Sequence, residues 1–161
     1  MKTLLALILS VILLNSASAG GRNWSLQQVN GGDFSIANNA GGRPSLLVFW
    51  ATWCKPCKAE LSNLKDTFDD LQRRGMNVLL VSEDNQKSMS RVKPFLDSKG
   101  FTWTGLHDPD GEVLKLYGGT SIPYTVMLDP SGSPVFEHRG EMKDTNAMLT
   151  RANQLLESAG E

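Results

Sequence analysis

The 161-residue sequence predicts an α/β fold, a sandwich of three layers in which helices cover both faces of a mixed central β-sheet. Two observations lead to this prediction. Residues 45–50 and 77–81 are almost wholly apolar, as expected of strands that are buried on both faces. Strands alternate with helices in the first half of the chain and a hairpin-like pair comes late, an order that favours a mixed sheet.

Residues 1–19 have the three parts of a secretory signal peptide. Lys2 gives a positive start, residues 3–14 are almost entirely apolar, and small residues precede an expected cleavage site after Ala19. An uncleaved membrane anchor is disfavoured, because a spanning helix needs about 20 apolar residues. We therefore expect secretion across the inner membrane into a periplasmic or extracytoplasmic space, where a cysteine pair can be oxidised.

The rest of the chain is divided into a linker, residues 20–23, and one domain, residues 24–161, because a chain of this length usually forms one compact unit. An apolar fraction of 40% is enough for an ordinary core. The formal net charge of −1 excludes the basic surface that is typical of nucleic-acid-binding proteins. Two weakly acidic surfaces repel each other, so we expect a monomer.

A glycine-rich turn separates two short strand-like runs, residues 24–29 and 33–36, which predicts an N-terminal β-hairpin. The clearest element is a helix that begins at the cysteine pair and ends at Gly75, because its apolar residues recur at helical spacing: Cys57, Leu61, Leu64, Phe68 and Leu71. The remaining predicted elements are a helix over 88–98, strands over 102–106, 125–128 and 135–138, and a last helix that is capped by Asp144 and carries the stripe Met148, Ala152, Leu155 and Ala159.

The only two cysteines of the sequence, Cys54 and Cys57, stand three residues apart where a buried strand meets a helix N-terminus. Residues at this spacing in a first helical turn are close enough to form a disulfide. Unpaired N–H groups and the helix dipole favour a thiolate at Cys54, and Lys55 adds a positive charge, so Cys54 is the expected nucleophile. Cys57 belongs to the buried stripe and is the expected resolving thiol.

Two other uses of the cysteine pair are weaker. A purely structural disulfide is disfavoured, because a bridge over so few residues constrains little of the chain. A zinc site is disfavoured, because zinc needs three or four ligands and neither His107 nor His138 belongs to a second paired motif. We expect no metal, and no cofactor other than the redox-active disulfide itself.

Two further positions remain open when the residues are considered alone. Cys57 must lose a proton before it attacks, and Glu60 lies one helical turn away at the border of the buried stripe. Glu60 is equally well explained as the proton acceptor or as a solvated helix glutamate. Pro123 stands just before an apolar strand, where a proline usually marks only an edge or a turn.

Residues 49–61 (FWATWCKPCKAEL) resemble the FWATWCxPCxxE motif of the TlpA/ResA-like extracytoplasmic thiol-disulfide oxidoreductases, a branch of the thioredoxin superfamily. The resemblance implies a thioredoxin fold over nearly all of the mature chain. It implies catalytic roles for Cys54, Cys57 and Glu60, and a cis peptide bond before Pro123 that faces the cysteines. The substrate-binding residues that it implies are Trp53, Pro56, Ile122 and Pro123.

The sequence departs from the family pattern at three positions. Val48 occupies the strand position where thioredoxin has a buried aspartate and this branch often has asparagine, so more of the proton transfer depends on Glu60. Tyr124 and Ser121 replace the usual threonine after the proline and the glycine two residues before it. We expect these two changes to narrow the substrate groove.

These observations predict a protein-disulfide reductase in which Cys54 attacks and Cys57 resolves. The family resemblance implies protein thiol and disulfide substrates, apocytochrome c among them, and a membrane thiol-electron transporter as donor. A disulfide oxidase or isomerase is the alternative, disfavoured because no histidine lies between the cysteines. A peroxidase would need an isolated cysteine, which the sequence lacks. A thiol-binding chaperone without turnover is the non-enzymatic alternative.

Overall fold

The computed structural model describes residues 22–158, so the predicted leader lies outside the described part of the chain. Seven described strands form one sheet: β1 (Ser25–Gln28), β2 (Asp33–Ser35), β3 (Ser45–Trp50), β4 (Asn77–Ser82), β5 (Thr104–His107), β6 (Tyr124–Leu128) and β7 (Pro134–Arg139). The helices are α1 (Ile36–Asn39), α2 (Lys55–Asn63), α3 (Lys65–Arg73), α4 (Val92–Lys99), α5 (Glu112–Leu116) and α6 (Asn146–Ser158).

The strand order in the sheet is β2-β1-β5-β4-β3-β6-β7. The central strands β3, β4 and β5 are parallel, and β6 and β7 continue the sheet in antiparallel fashion on the other side of β3. The predicted hairpin is present as β1 and β2, which pair with Leu26 opposite Phe34. The sheet is therefore mixed, as the order of elements predicts.

The two faces of the sheet carry separate hydrophobic clusters. Along β3, Val48 and Trp50 point into a cluster that residues of α2, α3, α4 and α6 complete. Leu47 and Phe49 point to the opposite face, where residues of α1 and α5 cover them. This division follows from the alternation of side chains along a strand. It confirms the predicted three-layer architecture.

The helix that follows the cysteines differs from the prediction. Sequence periodicity predicts one helix as far as Gly75, but the structure has α2 and α3 with a break at Leu64. Just before the break, the Ser62 hydroxyl donates to the Lys58 carbonyl at 2.9 Å. A serine hydroxyl that bonds four residues back competes with the backbone ladder and favours a bend at such a point. The apolar stripe continues across it, with Phe68 and Leu71 fully buried.

The short helices α1 and α5 are absent from the sequence prediction, because four and five residues are too few to show helical periodicity. The last helix agrees with it. The Asp144 carboxylate accepts the Asn146 N–H at 2.9 Å, and the stripe residues Met148, Ala152 and Leu155 are buried. Ala159 lies outside the described residues. Within residues 22–158, no helix has both the length and the apolar character that crossing a membrane requires.

Gly119 lies in the loop between α5 and β6, where the backbone passes very close to two side chains. A Cβ at this position would lie 2.2 Å from Leu114 Cδ1 and 2.8 Å from Tyr124 Cδ1. We expect Gly119→Ala to lower the free energy of unfolding by about 1–3 kcal/mol, because it overpacks a filled site. Urea denaturation measures this change, with the exposed Ser121→Ala as the control. Equal denaturation midpoints for the two variants would contradict the predicted steric constraint.

Candidate active site

The cysteine pair lies where β3 ends and α2 begins, at the edge where the carboxyl ends of the parallel strands meet. Cys54 is the N-cap residue of α2 and has an extended backbone. Its Sγ accepts the backbone N–H of Cys57 at 3.3 Å, so an unpaired donor of the first helical turn points at the sulfur. Pro56 lies in the same turn, where a missing N–H leaves nothing unsatisfied.

Cys54 and Cys57 form a disulfide, with their Cα atoms 5.3 Å apart. Cys57 is 1% exposed and Cys54 is 5% exposed, an order consistent with a buried resolving thiol and a more accessible nucleophile. Trp53 is 60% exposed. An exposed indole beside the disulfide offers an apolar surface to a docking partner.

The peptide bond between Ile122 and Pro123 is cis, as the family resemblance implies. Pro123 directly precedes β6, which runs antiparallel to β3 with Tyr124 opposite Phe49. The start of β6 therefore lies at the same edge of the sheet as the end of β3. The topology brings Ile122 and Pro123 to the end of the molecule that carries the cysteines.

Glu60 is buried, with 1% of its surface exposed, which excludes the solvated helix glutamate that the sequence left open. Its Oε2 accepts the backbone N–H of Met142 at 2.6 Å, and its Oε1 is buried without a hydrogen-bond partner. Burial raises the pKa of the Glu60 carboxyl, and the Met142 N–H and His138 oppose that rise while Glu141 adds to it. A raised pKa moves a carboxyl toward the range in which a general base works at physiological pH.

Two of the departures from the family pattern have clear structural outcomes. Val48 is buried in the cluster against α2 and places no carboxyl on β3. Tyr124 does not narrow the groove as expected, because its ring stacks on Phe49 inside the opposite cluster, with centroids 5.8 Å apart. The Tyr124 hydroxyl lies 2.8 Å from the Tyr117 carbonyl and 2.7 Å from Glu137 Oε2. Burial is the main reason that the pKa of Tyr124 rises to about 12.

Asp84 is a buried carboxylate that the sequence analysis did not identify. It follows β4, and its oxygens accept the Thr52 N–H at 2.7 Å, the Thr52 hydroxyl at 2.6 Å and the Ser82 hydroxyl at 2.9 Å. Thr52 lies two residues before Cys54, so Asp84 fixes the loop that presents the nucleophile. The sequence offers one signal, a polar run directly after a buried strand, but only the tertiary structure joins it to Thr52.

His107 lies near Asp84 at the end of β5 and is also buried. Burial lowers the pKa of this imidazole, and Asp84 partly opposes the change. Its Nδ1 is buried without a hydrogen-bond partner. Across residues 22–158, no group of three or more His, Cys, Asp and Glu side chains is arranged to hold a metal ion.

Glu83 and Asp108 form an acidic pair at this edge of the sheet. Asp108 accepts the N–H groups of Glu112, Val113 and Leu114, and so caps α5. Burial, followed by the charge of Asp108 and a hydrogen bond to it, raises the pKa of Glu83 to about 8. Glu83 therefore keeps its proton over a range in which an exposed glutamate is ionised.

Residues 21–133 match the AhpC/TSA family. The chain belongs to the AhpC/TSA family of the thioredoxin superfamily. The fold and the cysteine pair agree with this membership, and they confirm the thioredoxin fold that the motif implies.

Individual relatives support the resemblance to the ResA-like branch. Thiol-disulfide oxidoreductase ResA of Oceanobacillus iheyensis is 36% identical over 91 residues, which cover 56% of this chain and 46% of that protein. Sporulation thiol-disulfide oxidoreductase A of Bacillus subtilis is 29% identical over 136 residues, 82% of this chain and 74% of that protein. The crystal structure of StoA from Bacillus subtilis aligns with a TM-score of 0.64 and 27% identity, over 84% of this chain and 95% of that one. The chain spans about half the length of several curated relatives that it matches.

The hydrogen bonds of Asp84 give a prediction about stability. In Asp84→Asn the amide nitrogen replaces one acceptor and faces donors from Thr52 and Ser82. We expect the free energy of unfolding to fall by about 1–3 kcal/mol, the usual loss when a buried donor is left unpaired. Asp110→Asn makes the same chemical change at an exposed turn position and serves as the control. Urea denaturation measures both variants. Equal losses of unfolding free energy in the two would contradict the stabilising role of the hydrogen bonds between Asp84 and Thr52.

The raised pKa of Glu83 gives a prediction about pH. Because the folded state holds this proton more tightly than the unfolded chain, stability is highest below the ordinary glutamate pKa and falls as the pH rises through about 8. We expect Glu83→Gln to flatten the loss of unfolding free energy between pH 5 and pH 9. The matched control is Glu157→Gln, an exposed change on α6. A wild-type slope retained in Glu83→Gln would contradict the assignment.

Proposed function

We propose that this protein is an extracytoplasmic protein-disulfide reductase that acts through the Cys54–Cys57 pair. The observation that carries the proposal is the disulfide at the start of α2, with a helix N–H directed at Cys54 Sγ and with Cys57 buried behind it. Helix N-terminal donors stabilise a thiolate at the first cysteine, which makes it the better nucleophile. The names of its relatives as thiol-disulfide oxidoreductases support the same chemistry.

In the reduced protein, the Cys54 thiolate attacks one sulfur of a substrate disulfide and breaks that S–S bond. One substrate thiolate leaves, and the other sulfur stays bound to Cys54 as a mixed disulfide. Cys57 then loses its proton and attacks Cys54 Sγ, which releases the second substrate thiolate and forms the Cys54–Cys57 disulfide. Two electrons pass to the substrate, so the protein leaves oxidised and needs no cofactor beyond its own two cysteines.

Glu60 is the proposed acceptor for the proton of Cys57. It lies one helical turn after Cys57 on α2, is buried, and has an oxygen without a hydrogen-bond partner. With Val48 on β3, that part of the strand offers no carboxyl for this task. A general base works best when its pKa lies near the working pH, and burial moves the pKa of Glu60 in that direction.

The proposed substrate is an unfolded or extended protein segment, since the exposed Trp53 directly precedes the cysteine pair and offers an apolar surface beside it. We propose that Trp53, Pro56, Ile122 and Pro123 contact it, as the family resemblance implies, and that apocytochrome c is one such substrate. The electrons come from a membrane thiol-electron transporter. This arrangement requires the predicted signal peptide to place the domain in the periplasm or an equivalent compartment.

Two cysteine variants test the order of attack. Cys57→Ser keeps the nucleophile but lacks the resolving thiol, so we expect it to accumulate mixed disulfides with a model disulfide substrate. Cys54→Ser is the matched control and should form fewer than about one-tenth as many, because its remaining thiol is buried. Mass spectrometry of the trapped species measures the ratio. Equal trapping by the two variants would reverse the assigned roles.

The equilibrium reduction potential of the pair distinguishes reductase from oxidase. Titration of the mature domain against defined thiol buffers should give a value well below the glutathione potential, in the range of about −270 mV that thioredoxin shows. A value near the strongly oxidising end, about −120 mV, would make the protein a disulfide donor instead. Failure of the pair to cycle at all would contradict both enzyme functions and leave the chaperone alternative.

A further inference from the structure

The register of the sheet places His138 on the same face as the cysteine helix. Val48 on β3 pairs with Thr125 on β6, and Thr125 pairs with His138 on β7. Directly paired residues in neighbouring strands share a face. Val48 contributes to the cluster that α2 covers, so His138 lies on the α2 side of the sheet.

The chain that follows His138 contacts Glu60 directly. Residues 138–142, here called the 138–142 segment, comprise the end of β7 and the loop after it. Its last residue, Met142, is buried and donates its N–H to Glu60 Oε2 at 2.6 Å. A hydrogen bond from a backbone N–H stabilises the ionised form of a carboxyl.

Two charged side chains of the same segment act on Glu60 with opposite sign. The positive charge of His138 favours the carboxylate, and the negative charge of Glu141 disfavours it. Cys57 lies one turn earlier than Glu60 on α2. The side chains of His138 and Glu141 are both half-buried, so solvent screens them less than it screens fully exposed charges.

We propose that the 138–142 segment is a tuning element for Glu60, in which His138 and Glu141 are positioning residues that set when the Glu60 carboxylate is available to Cys57. The proposal rests on the proposed function of Glu60 and extends it to residues 78 and 81 positions further along the chain. Met142 fixes the orientation of the carboxylate, the charge of His138 favours its ionised form, and the charge of Glu141 opposes that effect. The step that the segment influences is a proton transfer, in which only the proton of Cys57 moves, from its sulfur to the Glu60 carboxylate.

The direct test is the titration of Glu60 itself, by the side-chain carboxyl ¹³C signal of glutamate-labelled oxidised protein, with Glu60→Gln used to identify the signal. We expect His138→Gln to raise the midpoint by about 0.5–1 pH unit and Glu141→Gln to lower it, as the loss of a nearby charge requires. His138→Lys keeps a cation at this position, so its Glu60 midpoint should lie closer to the wild-type value than that of His138→Gln.

Arg139→Gln is the matched control. Arg139 is the next residue on β7 and also a cation, but it pairs with Tyr124 and stacks on that ring on the opposite face, 4.8 Å from the centroid. We expect the Glu60 midpoint in this variant to stay within about 0.2 pH unit of the wild-type value, because a charge on the other side of the sheet is largely screened. Equal shifts in His138→Gln and Arg139→Gln would overturn the proposal.

A kinetic measurement then separates this inference from the proposed function. The acid limb of the pH–rate profile for substrate-disulfide reduction should shift to higher pH in His138→Gln and to lower pH in Glu141→Gln. These shifts should match those of the Glu60 midpoints. A rate profile that stays fixed while the midpoints move would overturn the assigned positioning role. A wild-type protein that reduces no disulfide contradicts the proposed function, and the carboxyl titration alone then shows whether the segment controls the charge of Glu60.

Discussion

The complete burial of strand β3 is the constraint on which the rest of the structure depends. Every residue from Ser45 to Trp50 is buried, and both edges of the strand are paired, with β4 on one side and β6 on the other. A strand buried in this way leaves no freedom of register, because a slip of one residue would exchange its two apolar faces. The position of Cys54, four residues after the strand, is thereby fixed relative to the ends of β4 and β6.

The carboxyls at this end of the sheet show how hydrogen bonding decides the role of a buried acid. Asp84 accepts three donors from Thr52 and Ser82, so its negative charge is well stabilised and serves to hold the cysteine loop. Glu60 accepts a single N–H and keeps one oxygen without a partner. The first arrangement uses the acceptor capacity of the carboxylate to hold a loop, whereas the second leaves one oxygen free of such a task. Burial alone would not distinguish these two residues.

The limits of sequence prediction follow from the same distinction. Strand β3 and the cysteine helix could be predicted because their signals lie within a few consecutive residues, as the apolar run and the Cys54–Cys57 spacing show. The hydrogen bond of Glu60 comes from Met142, which is 82 residues away, and the role of Asp84 depends on Thr52, which is 32 residues away. No local pattern reports such contacts. The cis bond before Pro123 was predictable only through the family motif, because a proline before a strand has several local explanations.

The position of the buried acid on α2 instead of β3 has a physical consequence for the whole site. A carboxyl at the position of Val48 would lie inside the main apolar cluster, where its desolvation would oppose folding. Glu60 lies at the margin of that cluster, where a backbone N–H from outside the helix can reach it. The central sheet therefore remains apolar, and the carboxyl that we propose as proton acceptor is contacted by the loop after β7. A surface loop can vary in sequence more freely than a buried strand, so under the proposed role of Glu60 this arrangement would let the reactivity of the cysteines change while the fold that positions them stays the same.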